Sequence, residues 1–475
     1  MAFFGRQHEL KSLHEDFLKN QSSLVVIHGR RRVGKTRLLK EFSHLKPLLW
    51  FEGLEKGGPR EQLLHFLVQF KDQTKIPLPA GLSLDGWRQA FDCLTDALTF
   101  QKKTIIVFDE FPWMINQDEK AVALFKYYWD NKWSQHKNLM MVLCGSINTF
   151  MVKKVVRSSA LYGRIHREIC LEPLSLAETK EFLGPKRPVH DVAELFMTFG
   201  GVPKYLEEIR AKESSIQNIN RLCFLKDAFF VQEFDRLFKE EFKEKSLYPK
   251  IVRTLMATPG LTYSEIIAKL NLSEGGGYQI YLDNLCLAGF IQSFKPLGRT
   301  QTQLIRYRLY DEYLHFYFGL MQPHLNLINT NIGQNLFLNV LGKPRWSAWS
   351  GLSFERLCLR ETMTIQKILK IDQLVKNYGS YFNRQTTGKN GLQIDLVFER
   401  HDNVINICEI KNTRRPVGTD VIQQVEKKTA IFKSKKRQVI QPILITATEP
   451  SPALVEARYF HHIILLKDFF WAANR

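Results

Sequence analysis

Gly29-Arg30-Arg31-Arg32-Val33-Gly34-Lys35-Thr36 matches the pattern G-x-x-x-x-G-K-[ST], and its surroundings suit that spelling. An apolar run, Leu24-Val25-Val26-Ile27, leads into it, and a helix-forming run, Arg37-Leu38-Leu39-Lys40-Glu41-Phe42, leads out. Strand, loop and helix in that order make a phosphate cradle. Gly29 and Gly34 let the backbone close around phosphate oxygens, so that N–H groups from Arg30, Arg31, Arg32 and Val33 point inward. The helix that begins near Lys35 adds the positive end of its dipole. Lys35 is expected to reach the β- and γ-phosphates, and Thr36 to hold Mg2+ through its hydroxyl. These residues predict nucleotide binding.

Further along, Thr104-Ile105-Ile106-Val107-Phe108 reads as a second buried strand ending in Asp109-Glu110. After a phosphate loop, Asp109 is expected to complete the Mg2+ shell through water. Glu110 is expected to orient or deprotonate an attacking water. A third strand, Leu139 to Cys144, ends at Gly145-Ser146-Ile147-Asn148, which places Ser146 or Asn148 as a polar sensor of the γ-phosphate. Leu161-Tyr162-Gly163-Arg164 precedes an edge strand over 165–171, and Arg164 is a candidate arginine finger, supplied to this or a neighbouring subunit.

Composition bounds the rest. A chain of 475 residues predicts about three domains, and 44% hydrophobic with 12% aromatic content predicts folded ones. The seven cysteines are scattered with no C-x-x-C pair, which excludes a structural zinc or a disulfide framework and suits a reducing cytoplasm. No apolar run approaches the roughly 18 residues of a membrane span, and the first residues lack the layout of a signal peptide. A net charge of +19 points to a polyanionic partner, nucleic acid being the usual one.

Phe4-Gly5-Arg6-Gln7-His8-Glu9-Leu10, the arginine-rich loop, Asp109-Glu110, Cys144-Gly145-Ser146 and Leu161 to Arg164 together resemble the archaeal-type P-loop ATPases, which sit among the AAA+ and STAND-like enzymes. Gly200-Gly201-Val202-Pro203-Lys204-Tyr205 is similar to that family's Gly-x-Pro element. The resemblance implies an α/β core over 1–172 and a helical lid over 173–245, with Pro203 near the nucleotide base. It also implies ATP as the nucleotide, ATP hydrolysis, and a possible homo-oligomer formed through the ATPase module.

Residues 246–316 read as a winged helix-turn-helix. Thr262-Tyr263-Ser264-Glu265 has a capping-box layout at a helix start. The candidate recognition helix, Tyr278 to Ala288, carries no Arg or Lys. The wing does carry cations, in Lys295, Arg299, Arg306 and Arg308, which suits non-specific phosphate contacts. Residues 317–345 loosen in pattern and read as a linker.

From 346 onward, two alternating strands flank the polar turn His401-Asp402-Asn403. If Arg400 pairs with Val404, Asp395 faces Glu409 on one face, and Lys411 shares that face. Two carboxylates directly across a strand pair repel unless something cationic joins them. Mg2+ suits the role, with Glu355 as a further ligand and Lys411 holding the attacking water. Glu355, Asp395, Glu409 and Lys411 resemble the PD-(D/E)XK nuclease constellation, with Ile394 in the usual proline position. Gln423 or Gln424 stands for the polar residue that often backs such a site. Arg414, Arg415 and the run Lys433 to Arg437 add positive charge for a nucleic-acid substrate. The expected whole is a P-loop AAA+-like parallel sheet with a helical lid, then a winged helix and a mixed α/β restriction-endonuclease-like domain. Its expected work is ATP hydrolysis coupled to DNA binding and Mg2+-dependent DNA cleavage. The alternative is a STAND-like switch whose last domains bind DNA or protein without cutting.

Overall fold

The computed structural model describes residues 3–78, 86–99, 101–146, 150–242, 247–273, 277–297, 305–330, 336–341, 344–383, 392–433 and 438–471. Asn148, Arg299 and the end of the basic run at 434–437 lie outside them. The chain divides into two compact units. One is Met1–Pro173 with Asp283–Ala288, and the other is Leu174–Leu282 with Gly289–Arg475.

The first unit is built on five parallel strands: β1 (Ser23–Gly29), β2 (Leu48–Glu52), β3 (Thr104–Asp109), β4 (Leu139–Ser146) and β5 (Arg167–Cys170). They lie side by side in the order β2-β3-β4-β1-β5. Every residue of β1, β3 and β4 is buried, because helices cover both faces, and this explains their unbroken apolar runs. Alternate side chains feed two cores. Leu24, Val26, Ile106 and Phe108 join a large aromatic cluster that includes Phe66, Phe91, Phe125 and Trp133. Val25, Ile27, Ile105 and Val107 pack on Leu38, Leu39 and Phe42. The helix Lys35–Ser43, which follows the phosphate loop, thus buries its apolar stripe under β1. β2 escapes a periodicity reading because it is a short edge strand whose residues alternate between buried and part-exposed. The carboxyl ends of β1, β3 and β4 come together, the place where parallel α/β sheets bind ligands.

The other edge is β5, held by a buried ion pair. Arg167 donates to the carboxylate of Asp16, which is fully buried in the helix Gln7–Leu18, and Lys19 adds a bond at 2.6 Å.

The second unit begins with helices Leu176–Leu183, Val189–Phe199, Pro203–Leu206, Ser215–Cys223 and Phe229–Phe242. Gly200 and Gly201 break the run, and Pro203 restarts it in a first helical turn. Only glycine fits at 201, where a Cβ would stand 1.8 Å from the carbonyl oxygen of Leu174. The Phe-rich run packs inward, with Phe230 stacked on Phe199 at 4.4 Å. Next along the chain come helix Leu247–Ala257, β6 (Leu261–Thr262), helices Tyr263–Lys269 and Gln279–Leu287, the latter assigned to the first unit from Asp283 onward, then β7 (Ile291–Phe294) and β8 (Arg306–Leu309). The three strands form a small antiparallel sheet in the order β6-β8-β7. Thr262 and Glu265 make the anticipated capping box.

The stretch read as a linker is mostly helical among its described residues, with segments Tyr317–Met321, Leu325–Asn329 and Leu336–Leu341. Phe337 explains the difference. It is fully buried, stacked on Phe224 at 4.8 Å and edge-on to Trp346 at 5.5 Å, so the segment is packed rather than loose. After helices Pro344–Arg360 and Thr362–Leu369, a mixed sheet follows: β9 (Val375–Asn383), β10 (Leu392–Arg400), β11 (Val404–Lys411), β12 (Val439–Thr446) and β13 (His462–Leu465). β9, β10 and β11 run antiparallel, while β11, β12 and β13 run parallel.

Burial opposes ionisation of Asp16, but the bonds from Arg167 and Lys19 outweigh it and hold the carboxyl below its usual range. A depressed folded-state pKa gives stability that is present above the unfolded value, near 4, and lost as the pH falls through the folded one. Asp16→Asn should cost about 2 kcal/mol at pH 7, the worth of a charge-assisted bond. The penalty should shrink as the pH falls below about 4. Urea unfolding of the wild type and the variant at the two pH values measures it.

Candidate nucleotide and metal sites

The phosphate loop joins β1 to the helix Lys35–Ser43 and needs its glycines. A Cβ on Gly29 would sit 2.3 Å from the carbonyl oxygen of Leu171, and Gly34 has φ 92°. Arg32, at φ 72°, takes the same left-handed region without being glycine. The Lys35 ammonium is buried and folds over the loop, donating to the carbonyls of Gly29 at 3.0 Å and Arg30 at 3.1 Å. Arg30 is itself buried, and the Arg31 guanidinium lies over the ring of Trp113 at 5.0 Å. The loop has a brace that sequence reasoning did not assign: Arg6 donates to the carbonyls of Val33 at 3.2 Å and Glu172 at 2.5 Å. Its place in the Phe4-Gly5-Arg6 opening was the available signal.

Beside the loop, the Thr36 hydroxyl donates to the buried Asp109 carboxylate at 2.9 Å. Two hard oxygens therefore meet where Mg2+ was expected, and the donor chemistry fits. Glu110 sits in a left-handed conformation at φ 50°, a strain that gathers at functional sites. Its carboxylate accepts from the Ser146 N–H at 3.3 Å and from the Ser146 hydroxyl at 3.2 Å. Burial raises the Glu110 pKa, the Lys35 ammonium opposes the rise, and the neighbouring Asp109 charge adds to it. Ser146 thus bonds to the acid rather than standing alone as a polar sensor.

Arg164 is engaged within its own unit. Its Nε and Nη2 donate to the two Asp130 oxygens at 2.6 and 2.9 Å, and Lys126 joins the same carboxylate at 3.0 Å. A guanidinium so occupied is a surface clamp in this conformation. Pro203 opens its short helix in the second unit.

In that second unit, β10 and β11 pair with Leu396 opposite Cys408 and Glu399 opposite Ile405. One step further in this register sets Asp395 opposite Glu409. Asp395 also falls in a bulge against β9, where the pairing shifts between Ile394 and Val397; bulges re-aim side chains near active sites. Its Oδ2 accepts from the N–H of Ile410 at 3.2 Å. Glu409 is buried and bracketed by two ammonium groups, Lys411 at 2.8 Å and Lys428 at 2.6 Å. Lys428 was not anticipated. It lies on the helix Asp420–Lys433, four residues beyond Gln424, whose amide oxygen accepts from Lys411 at 3.1 Å. The i, i+4 spacing was the signal.

Glu355, on the helix Pro344–Arg360, lines the same cleft, of about 750 Å³, with Asp395, Glu409, Lys411 and Lys428. Burial and the charges of Asp395 and Glu409 push its pKa up to about 7. Burial and then Glu409 raise that of Asp395 as well. Three carboxylates, Glu355, Asp395 and Glu409, thus share the cleft lining with three ammonium groups, Lys411, Lys427 and Lys428. Among the described residues, no three His, Cys, Asp or Glu groups form a ready metal cage. The all-oxygen donor set still suits Mg2+, which takes one or two carboxylates and keeps waters.

The expected nucleic-acid cations divide. Arg306 bonds to the Gly260 carbonyl and to Glu265, and Arg308 to the neutral amide of Gln292 on the neighbouring strand, so neither guanidinium stands free on the surface. Lys295, Arg414 and Arg415 are exposed.

The order β2-β3-β4-β1-β5, the loop after β1 and the acidic end of β3 give the layout of a P-loop ATPase core. Residues 3–209 match the family described as an ATPase domain predominantly from Archaea, and the protein is an ATPase. An uncharacterised protein of Methanocaldococcus jannaschii is 27% identical over 398 residues, 83% of this chain and 84% of that protein. A 48-residue stretch is 41% identical to an uncharacterised ATP-binding protein of the same organism, covering 10% of this chain and 81% of that one. Among solved structures, the Walker-type ATPase of Pyrococcus abyssi is similar at 20% identity and TM-score 0.49, over 66% of this chain and 95% of that one. The Aeropyrum pernix ORC2 protein, in ADPNP–ADP complexes, is similar at 14% identity and TM-score 0.40, over 71% and 95%. No helix among the described residues is long and apolar enough to cross a membrane.

Two variants separate binding from chemistry. Lys35→Ala should abolish ATP hydrolysis and weaken ATP binding. Glu110→Gln should keep ATP binding and lower kcat by about 10²–10⁴. Steady-state hydrolysis alongside nucleotide titration reads both; equal kcat in Glu110→Gln and wild type would remove the acid from the chemistry.

Proposed function

We propose that this ATPase binds DNA and cuts it with Mg2+ at the cleft of Glu355, Asp395, Glu409 and Lys411. The observation that carries the reading is that Glu355, Asp395, Glu409 and Lys411 line one cleft, with Asp395 next in register after the Leu396–Cys408 pair of the hairpin. Crowded carboxylates of raised pKa call for a divalent cation, and a phosphodiester is the substrate such an ion and ammonium groups together attract. When bound, the ion would be held by Asp395 and Glu409, with Glu355 beside them, and would offset charge on the phosphate. Lys411 serves to position water and Gln424 to orient Lys411, while Lys428 balances Glu409. In the nucleotide site, the same reading gives Asp109 and Thr36 the Mg2+, Lys35 the phosphates and Glu110 the water.

DNA binding draws support from the net charge of +19 and from the order of helices and strands over 247–309, which suits a winged helix. With Arg306 and Arg308 turned inward, backbone contacts fall to Lys295, Arg414 and Arg415. The candidate recognition helix offers no Arg or Lys, which favours binding without sequence preference. A homo-oligomer through the ATPase module, which would let Arg164 leave Asp130 for a neighbour's nucleotide, belongs to the same reading.

One observation favours the STAND-like switch without cleavage: both oxygens of Glu409 are already taken by lysines. Plasmid degradation decides between the two. In Mg2+, Lys411→Ala should lower degradation by about a hundredfold or more, while ATP hydrolysis stays at the wild-type rate and chelation stops cutting by both proteins. Equal degradation by wild type and variant would leave the switch. Duplex affinity should fall with salt at a log–log slope near −3, about 0.9 for each of three phosphate contacts; a flat response would argue against DNA as the partner.

A further inference from the structure

A second cavity in the same unit, of about 610 Å³, lies between the small antiparallel sheet and the helix Pro344–Arg360. Its size falls within the range of small-molecule sites. The walls are mainly apolar and carry three flat rings, Phe294, Trp349 and Tyr381, with Leu352 exposed among the lining residues.

The charges around it do not balance. Arg306 pairs with Glu265, and Arg356 and Arg360 share the buried Glu312. Arg308 has no ion-pair partner among the described residues. It donates to a neutral amide, Gln292 Oε1, at 3.0 and 2.7 Å, and its guanidinium lies 4.9 Å from the centroid of Phe294. Burial pulls its pKa below the ordinary arginine value. Among the described residues, Glu355 is the one carboxylate in the lining, and it does not bond to Arg308. A part-buried guanidinium without a counter-ion is costly unless an anion joins it.

We propose that this cavity is a binding site for a small, ring-bearing anion, its acidic group on Arg308 and its flat body against Phe294, Trp349 and Tyr381. The guanidinium fork suits a carboxylate, sulfonate or phosphate, and the rings suit a planar body. The site is separate from the phosphate loop. It shares Glu355 and Gln393 with the cleft of Asp395 and Glu409 but none of the groups that would bind the anion, so it stands whether or not the protein cuts DNA.

Two fluorescent probes that differ only in charge test the proposal on the full chain, with saturating ADP present to fill the nucleotide site. 8-Anilinonaphthalene-1-sulfonate should bind saturably at one site per chain, more tightly than the neutral N-phenyl-1-naphthylamine. Arg308→Met should weaken the sulfonate about tenfold or more and leave the neutral probe unchanged. Leu352→Trp, a change at an exposed position, should weaken both. Circular dichroism and the thermal transition check that each variant is folded; should Arg308→Met fail, the comparison of probes and Leu352→Trp still decide. Equal affinity for the two probes overturns the proposal, as does either folded variant behaving like wild type. Displacement of the sulfonate by duplex DNA, without any effect of Arg308→Met, would mark a nucleic-acid surface and overturn it too.

Discussion

Two groups of carboxylates sit where water is scarce, and each holds together because ammonium groups stand beside it. In the first unit, Asp109 and Glu110 are adjacent in sequence and largely buried, with Lys35 supplying the opposing charge. In the second, Glu409 lies between Lys411 and Lys428, while burial and the neighbouring carboxylates keep the pKa values of Asp395 and Glu355 raised. Like charges in low dielectric cannot all ionise without a cation. This constraint explains why the residues around both clusters include lysine and hydroxyl groups.

Each cluster is presented by strained or irregular backbone. Glu110 and Arg32 take positive φ values beside the nucleotide site, and Asp395 rides a bulge where β10 shifts against β9. A regular strand would alternate these side chains strictly between faces. The departures aim them instead, at a cost of order 1–3 kcal/mol for each strained residue, which the large cores on either side of the parallel sheet can sustain.

The placement of Glu355 depends on packing far from it in sequence. Arg356 and Arg360 are one helical turn apart, and both grip Glu312, which is almost fully buried. That grip sets the rotation of the helix Pro344–Arg360 and turns Glu355 toward Asp395 and Glu409. The buried stack of Phe224, Phe337 and Trp346 anchors the start of the same helix. A segment that looked like a spacer thus helps to position an acidic side chain of the cleft.

Short-range rules were enough to read the phosphate loop, the acidic end of β3, the helix break at Gly200-Gly201 and the hairpin of β10 and β11. Each rests on spacing within one loop or one hairpin, where backbone geometry leaves few choices. What only the tertiary structure decided was which charges are spent on one another. Arg6 on the loop, Ser146 on Glu110, Arg164 on Asp130, Lys428 on Glu409 and the inward turn of Arg306 and Arg308 all join residues distant along the chain or on different elements. An arginine has the same letter whether it faces a phosphate or a buried carboxylate. Its partner is chosen by burial, because a charge removed from water must find an opposite one within a few ångströms, and that neighbourhood exists only once the layers have packed.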